Sequence, residues 1–154
     1  MRSPMRPLGD EKRHLLVTPE ISALLDGNLA RGLFPDVSAE ALIGKFVAGY
    51  LVTVSRQITK KNPDVEQIVG ADEVWALCAR NPPPGWRILG RWHKQNVFIA
   101  LRSWSKTKLF ANYPKATNEV IADWQQLLGA EPVHRGQVVG DYLGGVFRDV
   151  DQDP

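Results

Sequence analysis

A single cysteine, Cys78, stands in the whole chain. One thiol excludes an internal disulfide framework and any zinc site built from cysteines. Its apolar neighbours, Trp75-Ala76-Leu77 and Ala79, mark Cys78 as a small buried residue rather than a nucleophile. Histidines are almost as scarce: His14, His93 and His134 lie far apart with no partner ligands at metal spacing, so no metal and no other cofactor is expected. No apolar run approaches the roughly 20 residues that a membrane helix needs. Arg2, Arg6, Lys12 and Arg13 come without the apolar core of a secretory signal, and a reducing, cytoplasmic setting is the expectation. Gly140, Gly144 and Gly145 lack the Lys-Ser/Thr that follows a phosphate-cradling glycine loop. Neither a Ser-His-Asp arrangement nor an internal repeat can be drawn from the residue order.

What the chain does hold is charge, unevenly placed. Residues 56–115 carry eleven Lys/Arg against four Asp/Glu, whereas residues 116–154 carry two against seven. A basic middle and an acidic end point to a polyanion-facing surface, with a solvated sheet face and a solubilising tail as the plainer reading. The hydrophobic share of 44% and the 154-residue length suit one soluble domain with a core of its own.

Taken in order, residues 1–11 read as a mobile arm rich in proline and charge. His14–Val17 is a short strand candidate, and Thr18-Pro19-Glu20 caps a first helix carrying Ile21, Leu24, Leu25 and Leu29, stopped near Gly27-Asn28 or Gly32. Ser38 opens a second helix. Behind it Ile43, Phe46, Val47, Tyr50, Leu51, Val54 and Ile58 fall at helical spacing, which predicts one long helix ending at Lys60-Lys61-Asn62-Pro63. Asp64–Asp72 reads as a connector.

The stretch from Val74 to Lys108 then supplies three strands, broken at Pro82-Pro83-Pro84-Gly85 and at Lys94-Gln95-Asn96. Strand alternation puts Arg87, Leu89 and Arg91 on one face and Trp86, Ile88 and Trp92 on the other, the expected core side. Thr117 or Asn118 caps a third helix with Val120, Ile121, Trp124, Leu127 and Leu128 apolar, stopped by Gly129. The expected fold class is therefore α+β. A short N-terminal strand, two helices, an antiparallel three-stranded meander and a following helix occupy residues 12–129, and a glycine-rich acidic extension occupies residues 130–154.

This order of elements resembles the RelE/HigB superfamily of bacterial toxin–antitoxin toxins. The resemblance rests on Leu16-Val17-Thr18-Pro19-Glu20 running strand into helix, and on Val74-Trp75-Ala76-Leu77 and Trp86-Arg87-Ile88-Leu89 as strands. It also rests on Val97–Lys108, with its aromatic Trp104 and basic Lys106 and Lys108, and on the helix at Asn118–Ala122. It covers about Leu15 to Leu128. Two departures stand out. Ala76 replaces the glutamate usual in the first meander strand, and the paired lysines read Lys106-Thr107-Lys108.

The resemblance implies an endoribonuclease that cuts mRNA on the ribosome without a metal, inhibits translation and is neutralised by a protein antitoxin. By that analogy Arg87 is the phosphate clamp, since its planar fork pairs two oxygens at once. Lys106 and Lys108 hold the neighbouring backbone, Arg91 and Arg102 add charge, and Trp104 stacks a base. His93 is the meander residue suited to exchanging protons near neutrality, while Tyr142 and Arg148 are further candidates if the extension folds back over the site. Two other readings stay open. One is a non-catalytic nucleic-acid- or protein-binding module of a mobile element or phage assembly. The other is self-association through the opposed charges of middle and tail. If the tail folds over the meander, it would also compete with phosphate within its own chain and restrain the site until displaced.

Overall fold

A computed structural model describes residues 12–26 and 35–153. Seven strands form one mixed sheet: β1 (His14–Val17), β2 (Val52–Ser55), β3 (Val65–Gln67), β4 (Trp75–Ala79), β5 (Trp86–Lys94), β6 (Val97–Ser105) and β7 (Phe147–Asp149). Four helices accompany it: α1 (Pro19–Leu25), α2 (Asp36–Val47), α3 (Lys106–Phe110) and α4 (Tyr113–Leu128). The spatial order is β1-β6-β5-β4-β3-β2-β7. Strands β3 to β6 pair antiparallel, while β1 runs parallel to β6 and β2 runs parallel to both β3 and β7.

This corrects the expected fold of two helices and a three-stranded meander. The predicted long helix from Ser38 stops at Val47 and returns as a strand. Gly49, at φ +77, occupies a conformation that suits glycine, and the β-branched run Val52-Thr53-Val54 prefers the pleated backbone that follows. Three residues counted in the apolar stripe, Tyr50, Leu51 and Ile58, are exposed at 67%, 51% and 89%. The helical period there was a coincidence of spacing. The supposed connector at Asp64–Asp72 contains β3, and the last helix starts at Tyr113 with Pro114 in its first turn rather than at Thr117. The acidic extension contributes β7 and buries Val139, Tyr142, Leu143 and Val150. The arm at residues 1–11, Leu29 and the stop signals at Gly27-Asn28 and Gly32 lie outside the described residues.

Both faces of the sheet are covered, which explains why β4 is apolar at every position. One face packs Trp75, Leu77, Ile88, Trp92 and Phe98 against α1, α2 and the C-terminal segment. The other packs Ala76, Leu89, Ile99 and Leu101 against Leu109 of α3 and Ala116, Val120 and Trp124 of α4. Arg87 and Arg91 share this second face and are only 3% and 4% exposed, so the alternation placed them on the right strand positions but not on a solvated surface. At Gly90 the β5–β6 register shifts, and an added Cβ would sit 2.0 Å from the Ile99 carbonyl oxygen.

Two buried polar devices tie the extension down. Arg13, fully buried, donates from Nε to the Gly144 carbonyl, from Nη1 to those of Phe46 and Tyr50, and from Nη2 to that of Val146. Burial lowers its guanidinium to a pKa of about 10. Glu73 accepts from the Tyr142 hydroxyl at 2.9 Å and from Trp75 Nε1 at 3.3 Å. The chain's two distant parts are thereby joined through charge-assisted hydrogen bonds.

Candidate phosphate-binding cleft

The second face is not sealed along its whole length. Past the start of α4, between the β2–β3 loop and α3, a cleft of about 390 Å³ opens over the strands. Glu66 of β3 and Arg87 of β5 line it, joined by Arg80, Lys106 and Tyr113. Arg87 Nε donates to Glu66 Oε1 at 3.1 Å, and Arg87 Nη1 donates to the Trp86 carbonyl at 3.3 Å. Arg80 Nη2 donates to the Pro63 carbonyl, while its buried Nε has no hydrogen-bond partner.

Strand order explains how this group assembles. Glu66 pairs with Ala76, and Arg87 pairs with Cys78, so carboxylate and guanidinium approach each other over the small side chains of β4. The strands β3 and β5 are about 10 Å apart at the usual sheet spacing, a gap that two long side chains close only where the middle strand stays low. Ala76 is also the position at which the resemblance expects a glutamate.

The surroundings set the protonation states. Burial, then the Glu66 charge, raises the Tyr113 phenol above its ordinary value, which keeps it a hydrogen-bond donor. Burial, again followed by Glu66, pushes the Cys78 thiol up, which makes it inert as a nucleophile. Lys106 is exposed and opens α3, whose N-cap Ser105 accepts from the Lys108 amide. A cleft with one carboxylate, two guanidinium groups and an ammonium suits a phosphodiester: anion clamp and proton acceptor lie side by side.

The sequence-predicted residues do not all meet here. Arg87 and Lys106 do. His93 lies six residues along β5 from Arg87, about 20 Å at the strand rise, with its Nε2 3.4 Å from Glu131 Oε2 and its ring against Trp124. Arg91 donates to the Asp72 carbonyl and lies over the Trp124 ring. Arg102 is bound by Glu119 and by both oxygens of Asp123, and these partners raise its pKa further. Trp104 and Lys108 line a separate hollow of about 490 Å³ at the open end of β6, beyond the last residue paired with β1. Helix α3 divides the two openings, Lys106 facing one and Lys108 the other.

Tyr142 is a core residue bound to Glu73, and Arg148 is exposed with Asp153 3.6 Å away. Neither reaches the cleft. The extension does not lie across it either, because its acids are used elsewhere: Asp151 accepts from Ser55 Oγ and the Arg56 amide. Among the described residues, no three His, Cys, Asp or Glu side chains converge as a metal-binding group, and no helix is long and apolar enough to cross a membrane.

Sequence reasoning missed Glu66, Arg80 and Tyr113. Glu66 lies in a stretch read as connector, where Val65-Glu66-Gln67-Ile68 lacks the period-two alternation that marks a strand. No protein-family model, curated protein or solved structure matches this chain.

Proposed function

We propose that the Arg87 cleft binds an RNA phosphodiester and that the chain is a metal-independent endoribonuclease of the toxin type. The contact between Glu66 and Arg87 on the floor of a basic cleft carries this reading. The proposal rests on those side chains and not on the sheet, whose strand order differs from the fold first expected.

In the reaction, Glu66 takes the proton of a ribose 2′-hydroxyl, and the freed oxygen attacks the adjacent phosphorus. The bond from phosphorus to the 5′-oxygen breaks, leaving a 2′,3′-cyclic phosphate on one product. Lys106 gives its proton to the departing 5′-oxygen, and Glu66 and Lys106 return to their first states by exchange with water. Arg87 and Arg80 hold the two non-bridging oxygens as charge grows on them. Tyr113 donates a hydrogen bond to the same group. His93, assigned the proton role by sequence, is too distant to share in it. The substrate is single-stranded mRNA in the cytoplasm, free or presented by the ribosome, and a protein antitoxin is the neutralising partner.

One observation favours a second reading. Arg87 is 3% exposed and already paired, which suits a cleft that holds a phosphate without cutting beside it. Purified protein with a single-stranded oligoribonucleotide and excess chelator separates the two. Cleavage to cyclic-phosphate ends, reduced about 100-fold or more in Glu66→Gln in protein that still unfolds cooperatively above the assay temperature, supports the nuclease. Salt-dependent binding without product supports the binding module, and absence of both cleavage and binding removes both readings.

A further inference from the structure

The rim of the Arg87 cleft differs in kind from its floor. Ile58 of the β2–β3 loop, Val69 of the β3–β4 turn and Phe110 at the end of α3 line the same opening, and they are exposed at 89%, 55% and 79%. Three separate elements thus raise large apolar side chains around one charged hollow. Isolated exposed apolar residues need no explanation, but a cluster of them around a ligand-sized opening does. None of the three serves the core. The amides of Gln57 and Asn62 stand among them, on the same loop as Ile58.

We infer that this rim seats an unpaired nucleobase next to the phosphate held by Arg87, with Phe110 as the stacking surface and Ile58 and Val69 as its apolar edges. The inference rests on the reading of the cleft as an RNA site and names its substrate class: a single strand whose base is turned out of any helix. Three features carry it. A cationic floor below an apolar rim matches the order of phosphate and base in one nucleotide. An aromatic face accepts any base, as single-strand binders use it. Gln57 and Asn62 offer both donors and acceptors to a base edge, which would give the site a preference among bases. The bases of a duplex are stacked within it and do not reach such a rim.

The test measures binding rather than cleavage. A short fluorescent 2′-O-methyl oligoribonucleotide, uncleavable through its blocked 2′-oxygen, is compared with the same strand carrying an abasic site. Phe110→Ala should weaken binding of the base-bearing strand about five- to fifty-fold and leave the abasic strand unchanged, while Phe110→Trp retains affinity. Lys106→Ala should weaken both strands alike. Equal affinities of Phe110→Ala and the unaltered protein for the base-bearing strand overturn the inference and assign the rim to an apolar protein partner. Equal losses on both strands overturn it too. Failure of the unaltered protein to bind either strand removes the RNA reading itself.

Discussion

Glu66 Oε1 and Arg87 Nε lie 3.1 Å apart although their strands are not neighbours. The pair reaches across β4 above Ala76 and Cys78, and it is partly buried, with side-chain exposures of 23% and 4%. A pair in such a place is asymmetric in its energetics: losing one partner strands the other's charge, whereas losing both is mild.

Accordingly, Glu66→Leu alone should destabilise the protein by about 1–3 kcal/mol, the range for a buried polar group left unsatisfied. Arg87→Met alone should cost a similar amount. The double variant should cost less than the sum, and urea unfolding of all four proteins gives the coupling. Additive losses would mean that the two groups do not interact in solution.

Cys78 keeps the middle strand low. Cys78→Leu should push Glu66 and Arg87 apart and overpack the face beneath α4, at about 1–3 kcal/mol. Cys78→Ala should be much milder and should keep any RNA affinity. Equal effects of the two substitutions in thermal melts would show that volume at this position is not what matters.

Tyr142→Phe should destabilise by about 1.5–3 kcal/mol, because Glu73 loses the hydroxyl that donates to it from within the core. Truncation after Gly129 should abolish cooperative unfolding altogether. It removes Tyr142, Leu143 and Val150 from the core along with β7, and a cooperative melt of the truncated chain would contradict this.

The extension should also loosen in acid. Asp72 is held below the usual carboxylate range, first by its hydrogen bond from Arg135. Asp141 is held down by the backbone amides of Gln137 and Val138. A carboxyl depressed in the folded state contributes stability that is complete above the unfolded value of about 4 and lost as pH falls through the folded value. Hydrogen exchange in residues 130–143 should therefore quicken below about pH 4 before global unfolding, and Arg135→Ala should weaken that dependence. Exchange in this segment that stays flat to the point of global unfolding would rule it out.

Local chemistry was legible in the sequence where one signal acted alone. Thr18 and Pro19 begin α1 as their types dictate, the Thr18 hydroxyl accepting from the Ile21 amide. Gly129, at φ +59, ends α4. Legibility failed where two signals competed, as at Gly49–Ile58, where a glycine and β-branched residues overrode a helical period. It failed again for pairings between distant segments, since nothing in Phe147-Arg148-Asp149 announces β2 as its partner. The candidate site shows the same division. Arg87 and Lys106 were found as basic residues of a strand and its exit. Glu66 joins them only through the register of β3 on β4, which no local pattern encodes.

That register has a counterpart at the border of the sheet. Strand β7 lies along β2, beyond which no strand follows in the sheet, and the segment carrying it is fixed by Arg13 from the opposite part of the sequence. The pairing spans everything from β3 to α4, so it is among the costliest contacts for a growing chain to reach. Until Phe147 arrives, Val52-Thr53-Val54 presents a bare, β-branched border to whatever strand is nearby. The closing strand thus covers that border only once synthesis has passed Phe147, and chains interrupted before it keep an edge open to their own copies.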